Sequence, residues 1–342
     1  MVFKRLRYLL VFLLAALFAA GITYVPLPYY ITKPGLADEL DQYVKIKNGY
    51  HEKGDFMLVT VSMSRANVIS YLVAKMNKYH EIFKKEEIMP TGESDADYQF
   101  TQLHLMQESQ DAAIYNAYKR AEKQVSYENK GVIVLAVSDK MPAKKKLQAG
   151  DQLIAVDEQP LQTAEEFIDY MKTKKQGDTV KIRYVREKEE KTITLPLEPI
   201  QGADGRVGIG VQIVTNTKLK VEPAIKIDSH RIGGPSAGLM FTLEIYNQLT
   251  KEDITKGWEI AGTGTMDAKG QVGPIGGISQ KVIAANDAGA EIFFAPNEQG
   301  AADSNYNEAV KTAKDIGAKM KIVPVDTLDD ALAFLQKLEE KK

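Results

Sequence analysis

The chain has 342 residues, of which 44% are apolar, and a formal net charge of −2 at pH 7. This length and apolar content are enough for a sizeable buried core and predict two domains, while the small net charge argues against a nucleic-acid partner. The absence of cysteine excludes a disulfide framework and a thiol nucleophile, the four histidines are too scattered to indicate a metal site, and we expect no cofactor.

The first segment of the chain is apolar. Residues 8–25 carry no charge and follow Lys4, Arg5 and Arg7. This pattern predicts an uncleaved transmembrane anchor at 8–25, with residues 1–7 in the cytoplasm and the rest outside the membrane, as in a single-pass protein of the cell membrane. A cleaved signal peptide begins with the same charges and is the alternative.

Past the anchor, the sequence has the mixed patterns of a folded domain. Apolar residues alternate through 57–63, as in a half-buried strand, and recur at helical spacing through 68–76. A further helix begins at the string Met106-Gln107-Glu108-Ser109 and has alanines along it. These patterns assign residues 30–125 to the first portion of a globular domain.

A separate unit follows at 126–200. It opens with a buried-strand run, and Thr163 can cap a helix that turns Phe167 and Met171 inward. Two later stretches alternate with charges, as the strands of a hairpin do. The unit resembles a PDZ domain of the protease-associated kind, and the strings that carry the resemblance are 131–137, 141–143 and 147–156.

The resemblance implies a peptide-binding groove, because PDZ domains bind an extended peptide as an added strand. We place the groove between the first strand of the unit and its helix. The residues that we expect to line it are Gly131, Val132, Ile133, Val134, Phe167 and Met171. Such a groove would select substrates, and the alternative is that the unit is a spacer that binds nothing.

The segment 233–238, Gly-Gly-Pro-Ser-Ala-Gly, has the composition of a tight turn before a helix. The apolar run after it predicts a helix that continues to about Leu249, which places Ser236 at a helix N-terminus. Unpaired N–H groups and the helix dipole at this position favour the oxyanion that forms when a serine attacks a carbonyl. The alternatives are that Ser236 only caps the helix or that the turn holds an anion.

A second glycine-rich turn, at 273–278, precedes a helix that Ser279 can cap. This helix carries Lys281 on a face with the alanines at 284, 285 and 288. Burial among small apolar groups lowers the pKa of a lysine from ~10.4 toward neutrality, so that its free amine can act as a base toward a serine. The alternative is a surface lysine on an amphipathic helix.

Both motifs resemble those of Lon-type proteases, which use a serine–lysine dyad. Residues 233–238 are similar to the nucleophile motif of this family, and 274–277 followed by Lys281 is similar to its lysine motif. The spacing between the two also fits. The resemblance implies that Ser236 is the nucleophile and that Lys281 is its base.

Two further strings resemble the same family. Thr263-Gly264-Thr265 is similar to its Thr-Gly-Glu, which implies that Thr263 supports the lysine, although Thr265 stands where the family has glutamate. The string at 106–109 resembles a helix that lies upstream of the nucleophile. In ordinary family members these two motifs are closer together, which implies that the PDZ-like unit is an insertion.

The sequence therefore predicts an α+β fold with an N-terminal single transmembrane helix. A Lon-type protease domain is formed by 30–125 and 205–340, and a PDZ domain is inserted at 126–200. Taken whole, the chain resembles the membrane-anchored PDZ and Lon-like proteases of Gram-positive bacteria, the YlbL and SepM type. The resemblance implies processing of secreted or membrane proteins and peptides.

The expected function is an ATP-independent serine endopeptidase that cleaves peptides or loosely folded proteins outside the membrane. The sequence contains no Gly-x-x-x-x-Gly-Lys-Ser/Thr phosphate loop, so we expect no ATP as a partner, only peptide or unfolded substrates and the membrane. One alternative is a serine hydrolase that uses His230 as its base. Another is a catalytically inactive extracellular scaffold that binds peptides.

Overall fold

The computed structural model of the protein describes residues 2–51, 53–89, 94–200, 202, 205–229 and 232–341. The helices are α1 (Val2–Tyr24), α2 (Val68–Met76), α3 (Lys85–Ile88), α4 (Asp95–Arg120), α5 (Ala164–Lys172), α6 (Gly238–Leu249), α7 (Ile278–Asp287), α8 (Asn305–Ile316) and α9 (Leu328–Lys337). The strands are β1 (Tyr29–Glu39), β2 (Val44–Ile46), β3 (Asp55–Arg65), β4 (Glu81–Lys84), β5 (Gln124–Val137), β6 (Gln152–Val156), β7 (Gln159–Pro160), β8 (Thr179–Arg186), β9 (Glu189–Pro196), β10 (Glu198–Pro199), β11 (Val207–Gly208), β12 (Val211–Glu222), β13 (Ile225–Ile227), β14 (Glu259–Gly262), β15 (Thr265–Met266), β16 (Val272–Gly273), β17 (Ile292–Pro296) and β18 (Lys321–Val325).

A mixed sheet in the order β18–β17–β14–β3–β1–β4 organises the main domain. β14 is parallel to β3 and β17, and β17 is parallel to β18, whereas β1 is antiparallel to both β3 and β4. Parallel strands need crossover connections, and the helices that provide them cover the faces of the sheet. The main domain is therefore a mixed α/β layered structure.

Successive residues of β3 point into different cores. Phe56 and Leu58 belong to the core that contains α4, α6 and α9, whereas Met57 and Val59 belong to the core that contains α7 and α8. The strand lies where the sequence predicted one. Both faces of its first half are buried, rather than one, because helices lie on each side of the sheet.

A second sheet, in the order β12–β5–β6–β8–β9, forms the inserted unit together with α5. The side chain of Thr163 caps α5 by accepting a hydrogen bond from the amide of Glu166 at 3.2 Å, as predicted. Phe167 and Met171 are buried in the core of this unit. The predicted hairpin is formed by β8 and β9.

The inserted unit extends further along the chain than the sequence indicated. Apolar side chains from β11, from the first residues of β12 and from the link between them belong to the core of this unit or pack against it, and they are Val207, Ile209, Val211 and Ile213. The core of this unit therefore contains side chains from beyond the predicted end at 200. The main domain resumes along β12 rather than at 205.

β5 and β12 form one long antiparallel ribbon that joins the two parts of the molecule. Gln124 pairs with Glu222 and Glu128 pairs with Lys218 at the main-domain end, and Val132 pairs with Thr215 inside the inserted unit. The chain therefore leaves the main domain and returns to it on adjacent strands. An insertion of this kind leaves the core of the host domain continuous.

The larger core of the main domain contains side chains from both sides of the insertion. Its large buried members include Leu40, Phe56, Met106, Tyr118, Leu239, Phe241, Phe294 and Leu335. The hydroxyl of Tyr118 also donates a hydrogen bond to the carbonyl of Pro223 at 2.6 Å. The two chain segments therefore share one core.

The N-terminal apolar segment is helical as α1, and its residues Arg5–Tyr24 have a mean hydropathy of 2.1. No residue of this 20-residue stretch is buried against the rest of the protein in the part of the chain that the structure describes. The helix is long and apolar enough to cross a membrane or to serve as a signal sequence.

Candidate active site

Ser236 lies just before α6, which begins at Gly238 and ends at Leu249 as predicted. The turn that holds it is fixed by close contacts. Gly234 has a φ of 90°, and its amide donates to the carbonyl of Gln102 in α4 at 2.8 Å. A Cβ at Gly238 would lie 2.7 Å from Cβ of Met266, so only glycine lets α6 start at this place.

Lys281 lies on the first turns of α7. Gly277, in the left-handed region with a φ of 69°, begins this helix, and its carbonyl accepts from the amide of Lys281 at 3.0 Å. The prediction that Ser279 caps α7 is wrong because the helix starts one residue earlier, at Ile278. The hydroxyl of Ser279 instead lies 2.8 Å from a carboxylate oxygen of Glu308.

The structure brings Ser236, Thr263 and Lys281 together. The lysine Nζ lies 2.6 Å from Oγ of Ser236 and 3.0 Å from Oγ1 of Thr263. Thr263 donates its own hydroxyl proton to the carbonyl of Ser236 at 2.8 Å. Since that proton is used, the threonine oxygen is the acceptor for an N–H of the lysine. A neutral amine held in this way can turn its lone pair toward the serine hydroxyl.

The Lys281 side chain is almost entirely removed from water, with 3% of the residue exposed. Burial lowers the pKa of its ammonium group from the ordinary value of 10.5 to about 7. Ala284 and Ala285 are buried on the same helix, as predicted, whereas Ala288 is exposed at its end. A lysine with such a pKa is partly in the free-base form near neutral pH and can accept a proton there.

Helix α4 supports the turn before Ser236 at two points, which are seven residues apart along the helix. The hydroxyl of Ser109 donates to the carbonyl of Pro235 at 2.9 Å, and the carbonyl of Gln102 accepts from Gly234. Sequence reasoning identified the string that contains Ser109 but missed Gln102. Gln102 acts through its backbone carbonyl, so no pattern of side chains in the sequence indicates its contact with Gly234.

Gln280, the neighbour of Lys281, is a second residue that the sequence did not reveal. Its side chain is buried, and its Nε2 donates to Oγ1 of Thr32 at 3.0 Å and to the carbonyl of Tyr79 at 3.1 Å. These contacts tie α7 to β1 and to the segment that follows α2. They restrict rotation of the helix that carries the lysine.

The groove of the inserted unit lies beside a different strand from the one we predicted. Residues 131–134 are in β5, which is paired with β12 on one side and with β6 on the other, so no peptide strand can be added there. That part of the prediction is wrong. The order of the sheet makes β12 the edge strand, and a groove of about 1440 Å³ lies between β12 and α5.

Phe167 and Met171 line this groove, as predicted, and Ile168 joins them from the same helix. The opposite wall is formed by 205–213, and 135–141 lies at one end. Within the described residues, β12 pairs only with β5, which leaves the backbone groups on its other edge available to an extended peptide.

Two further groups of residues have side chains that are capable of chemistry. His230, the alternative base, lies outside the described residues. Among the residues that are described, the carboxylates of Glu39, Asp41 and Asp55 lie within 4.8 Å of one another and could offer oxygen ligands to a cation. Burial, and then repulsion from its two neighbours, raises the pKa of Asp55. Glu39 is exposed, and we assign the cluster no role.

Two family profiles match parts of the chain. A profile of the PDZ domain family matches residues 118–197, and a profile of the Lon protease (S16) C-terminal proteolytic domain matches residues 222–337. The chain therefore contains a PDZ domain and a Lon-type proteolytic domain, and the latter family indicates a serine peptidase.

Curated relatives are Lon proteases. That of Campylobacter concisus (strain 13826) is 29% identical over 187 residues, which cover 46% of this chain and 22% of the relative. That of Metamycoplasma arthritidis (strain 158L3-1) is 28% identical over 170 residues, which cover 49% of this chain and 17% of the relative. The chain thus spans about a fifth of the length of these relatives.

Two solved structures of PDZ domains are similar to part of the chain. The PDZ domain of the SdrC-like protein of Listeria monocytogenes is 39% identical, and the match covers 25% of this chain and 87% of that domain with a TM-score of 0.24. The corresponding domain from Listeria innocua is also 39% identical, covering 25% of this chain and 93% of that domain with a TM-score of 0.24.

Proposed function

We propose that the protein is a serine endopeptidase in which Ser236 is the nucleophile and Lys281 is the general base. One observation carries the proposal: the distance of 2.6 Å between Nζ of Lys281 and Oγ of Ser236 at a lysine that is 3% exposed. Ordinary surface lysines are charged and solvated, and they cannot take a proton from a serine at neutral pH. Burial supplies the free amine that this chemistry requires.

In the first half-reaction, Oγ of Ser236 attacks the carbonyl carbon of the scissile bond, and the hydroxyl proton passes to the neutral Nζ of Lys281. The resulting ammonium group then gives this proton to the leaving amine as the carbon–nitrogen bond breaks. Water attacks the acyl-serine in the second half-reaction, and Lys281 takes a proton from it and returns one to Oγ. Thr263 orients the amine through its 3.0 Å contact.

The turn just before α6 provides the donors for the oxyanion. Within the described part of the chain, the amides of Ser236 and Ala237 donate to no backbone carbonyl, which supports their use by the developing charge. The positive end of the helix dipole has the same effect. In serine proteases, one such donor contributes a factor of roughly 10² to 10³ to the rate.

The substrates are peptides or loosely folded proteins outside the membrane, and cleavage needs no nucleotide. The apolar character of α1 supports an anchor with the basic residues on the cytoplasmic side. The sequence contains no phosphate-binding loop, which supports ATP independence.

The PDZ domain selects the substrate. An extended segment of the substrate adds to the free edge of β12, and its apolar side chains contact Phe167, Ile168 and Met171. Main-chain hydrogen bonds then provide affinity, and the apolar wall of α5 provides a preference for substrates with apolar side chains. The proteolytic domain cuts the part of the substrate that extends beyond the groove.

The test is cleavage of casein, an unstructured protein, by the full chain in detergent without ATP. We expect Ser236→Ala to abolish cleavage and Ser64→Ala, which changes an exposed serine of β3, to leave it unchanged. Equal cleavage by Ser236→Ala and the wild type would overturn the proposal. Absence of cleavage by every form, with peptide binding retained, would instead favour the inactive scaffold.

A further inference from the structure

Helix α2 presents an apolar stripe to the outside of the protein. Ile69, Leu72, Val73 and Met76 are 49%, 57%, 51% and 89% exposed. Their spacing of i, i+3, i+4 and i+7 places all four on one side of the helix. An amphipathic helix of a soluble domain normally buries this side, so the exposure of the whole stripe requires an explanation.

The orientation of α2 is fixed from its other side. Ala74 is buried in a small core with Ile31 and Ala66, and the ring of Tyr71 packs against that of Tyr29 at 5.1 Å between centroids. A capping box of Asn67 and Ser70 sets the start of the helix. The helix therefore cannot turn its stripe inward without giving up these contacts.

The stripe begins where the chain leaves α1. The side-chain amide of Asn67 donates to the carbonyl of Thr23 at 2.8 Å, in the last turn of α1. The amide of Leu27 donates to the carbonyl of Ala66 at 2.7 Å, just before α2. These two hydrogen bonds hold the start of α2 against the end of the apolar N-terminal helix.

We propose that α2 is an interfacial helix whose stripe of Ile69, Leu72, Val73 and Met76 inserts into the outer leaflet of the membrane. This inference rests on the proposed function of α1 as a membrane anchor. A span that ends at Tyr24 places the start of α2 at the level of the lipid headgroups. Amphipathic helices at this level bury their apolar face by roughly 5–10 Å, which matches a stripe one side chain deep.

The flank of the helix also suits the headgroup region. The ammonium group of Lys75 lies 5.0 Å from the centre of the Tyr71 ring, beside the stripe. Lysine and tyrosine are both favoured at this depth, because each combines an apolar body with a polar end. A protein partner fits less well, since four side chains offer far less than the ~800 Å² per partner that a standard interface buries.

Docking by α2 would fix the height and orientation of the proteolytic domain above the membrane. The segment after α2 contains Tyr79, whose carbonyl accepts from Gln280, the neighbour of Lys281. The membrane contact and the helix that carries the lysine are thus joined through one short stretch of chain. Substrates close to the membrane surface would reach the site more readily than those in bulk solution.

The absence of cysteine from the chain allows a direct test, because a single introduced cysteine can be labelled uniquely. We would place a nitroxide label at Leu72→Cys or Met76→Cys in the full chain, reconstituted in vesicles of phosphatidylcholine and phosphatidylglycerol. Collision with oxygen, which prefers lipid, is compared with collision with a water-soluble nickel chelate. Lys75→Cys on the helix flank, Glu189→Cys in the β8–β9 hairpin and Leu13→Cys in α1 are the references.

We expect labels at positions 72 and 76 to collide more often with oxygen than with nickel, and the label at 189 to show the reverse. The label at 75 should lie between them. Labels at 72 and 76 that collide more often with nickel than with oxygen would overturn the docking of α2. In that case, a label at 13 that still prefers oxygen would show that α1 remains a membrane anchor. Labels at 72 and 76 that are shielded from both reagents would also overturn the docking, in favour of a protein contact. A water-like label at 13 would overturn the anchor, and with it this inference.

Discussion

Glu128 and Lys218 lie directly opposite one another in the β5–β12 ribbon, at the point where the two domains join. The main-domain side of the ribbon continues to the pair of Gln124 and Glu222, and the ring of Tyr127 lies 5.1 Å from that of Tyr115 in α4. The ribbon is therefore anchored to the main domain before it enters the PDZ domain. A cut at this pair removes the PDZ domain at two residues that face one another on adjacent strands.

The first prediction follows from this pair. Replacing 129–217 by the turn Asn-Gly would convert the remaining strands into a two-residue hairpin, a connection that suits antiparallel partners. We expect this variant to fold and to cleave short peptides at a rate within a few-fold of the wild type, because Ser236 and Lys281 keep their surroundings. Cleavage of casein should weaken more than cleavage of short peptides, since the groove is gone. Peptide-cleavage kinetics and thermal melting check both points, and equal loss on both substrates would mean that the insertion is structural.

The second prediction concerns the groove wall. Ile168 is 44% exposed and lines the groove from α5, so Ile168→Glu would place a charge where an apolar side chain of the substrate packs. We expect at least a ten-fold loss of affinity for a groove-binding peptide, measured by fluorescence anisotropy, and no change in the cleavage of short peptides. Gln176→Glu adds the same charge at an exposed site outside the groove and is the matched control. Unchanged binding by Ile168→Glu would contradict the placement of the peptide.

The sequence was sufficient to identify Ser236 and Lys281 as a candidate dyad because each lies in a distinctive short string. The glycines that shape the turns, the small residues around Lys281 and the helix after Ser236 all have local causes. Thr263 was found in the same way. Only the fold brings Ser236 and Thr263 to within 3.0 Å of the Lys281 amine, although the family resemblance had implied that the three residues meet.

The errors arose where a residue depends on distant parts of the chain. The alternating run after 205 is a good strand, but nothing within it shows that it pairs with β5 and forms the edge of the PDZ sheet. The groove was therefore assigned to 131–134, which is an interior strand. Gln102 and Gln280 were missed for the same reason, since the backbone carbonyl of Gln102 and the side-chain amide of Gln280 gain their roles only from the groups that the fold places beside them.

The third prediction concerns Thr263, whose side chain contacts both members of the dyad. Thr263→Val keeps the shape of this fully buried residue and removes the oxygen that accepts from Lys281. We expect kcat to fall by about ten- to a hundred-fold with little change in KM, because the amine loses its orientation. A hydrogen bond favours the ammonium form more than the amine, so its loss should also move the acidic limb of the pH–rate profile to lower pH.

Thr263→Ser is the matched control, because it restores the oxygen without the methyl group. It should recover most of the lost kcat and the original pH profile. If the valine and serine variants were equally impaired, the role of Thr263 would be packing rather than orientation of the lysine.

The last prediction concerns the dependence of stability on the charge of Lys281. Its pKa is about 7 in the folded protein and 10.5 when it is exposed to water. Below pH 7 both states carry the proton, and confining the charge costs the folded state about 5 kcal/mol, at ~1.4 kcal/mol per pH unit of difference. Between pH 7 and 10.5 the unfolded chain binds more protons, so the contribution of this group to the free energy of unfolding rises with pH. Above 10.5 both states are neutral and the cost is absent.

Lys281→Met removes the amine and keeps an apolar side chain of similar length. This variant should be inactive, and it should be more stable than the wild type at pH 6 by roughly 3 kcal/mol, since the lost hydrogen bonds offset part of the relieved cost. The advantage should shrink by ~1.4 kcal/mol per pH unit above pH 7 and vanish near pH 9, because the unfolded lysine still binds a proton there whereas the folded amine does not. Denaturant unfolding of both proteins at several pH values between 6 and 10 measures this convergence.

The cleavage activity should depend on the same titration of Lys281, and it should increase as the ammonium group loses its proton. Wild-type cleavage of a short peptide should rise with pH through about 7, because only the free amine accepts the proton of Ser236. Lys281→Arg should be inactive at every pH and less stable than the methionine variant, because guanidinium stays charged in the same buried site. A methionine variant that still cleaves peptides, or one whose stability stays parallel to that of the wild type from pH 6 to 10, would rule out a buried neutral lysine as the base.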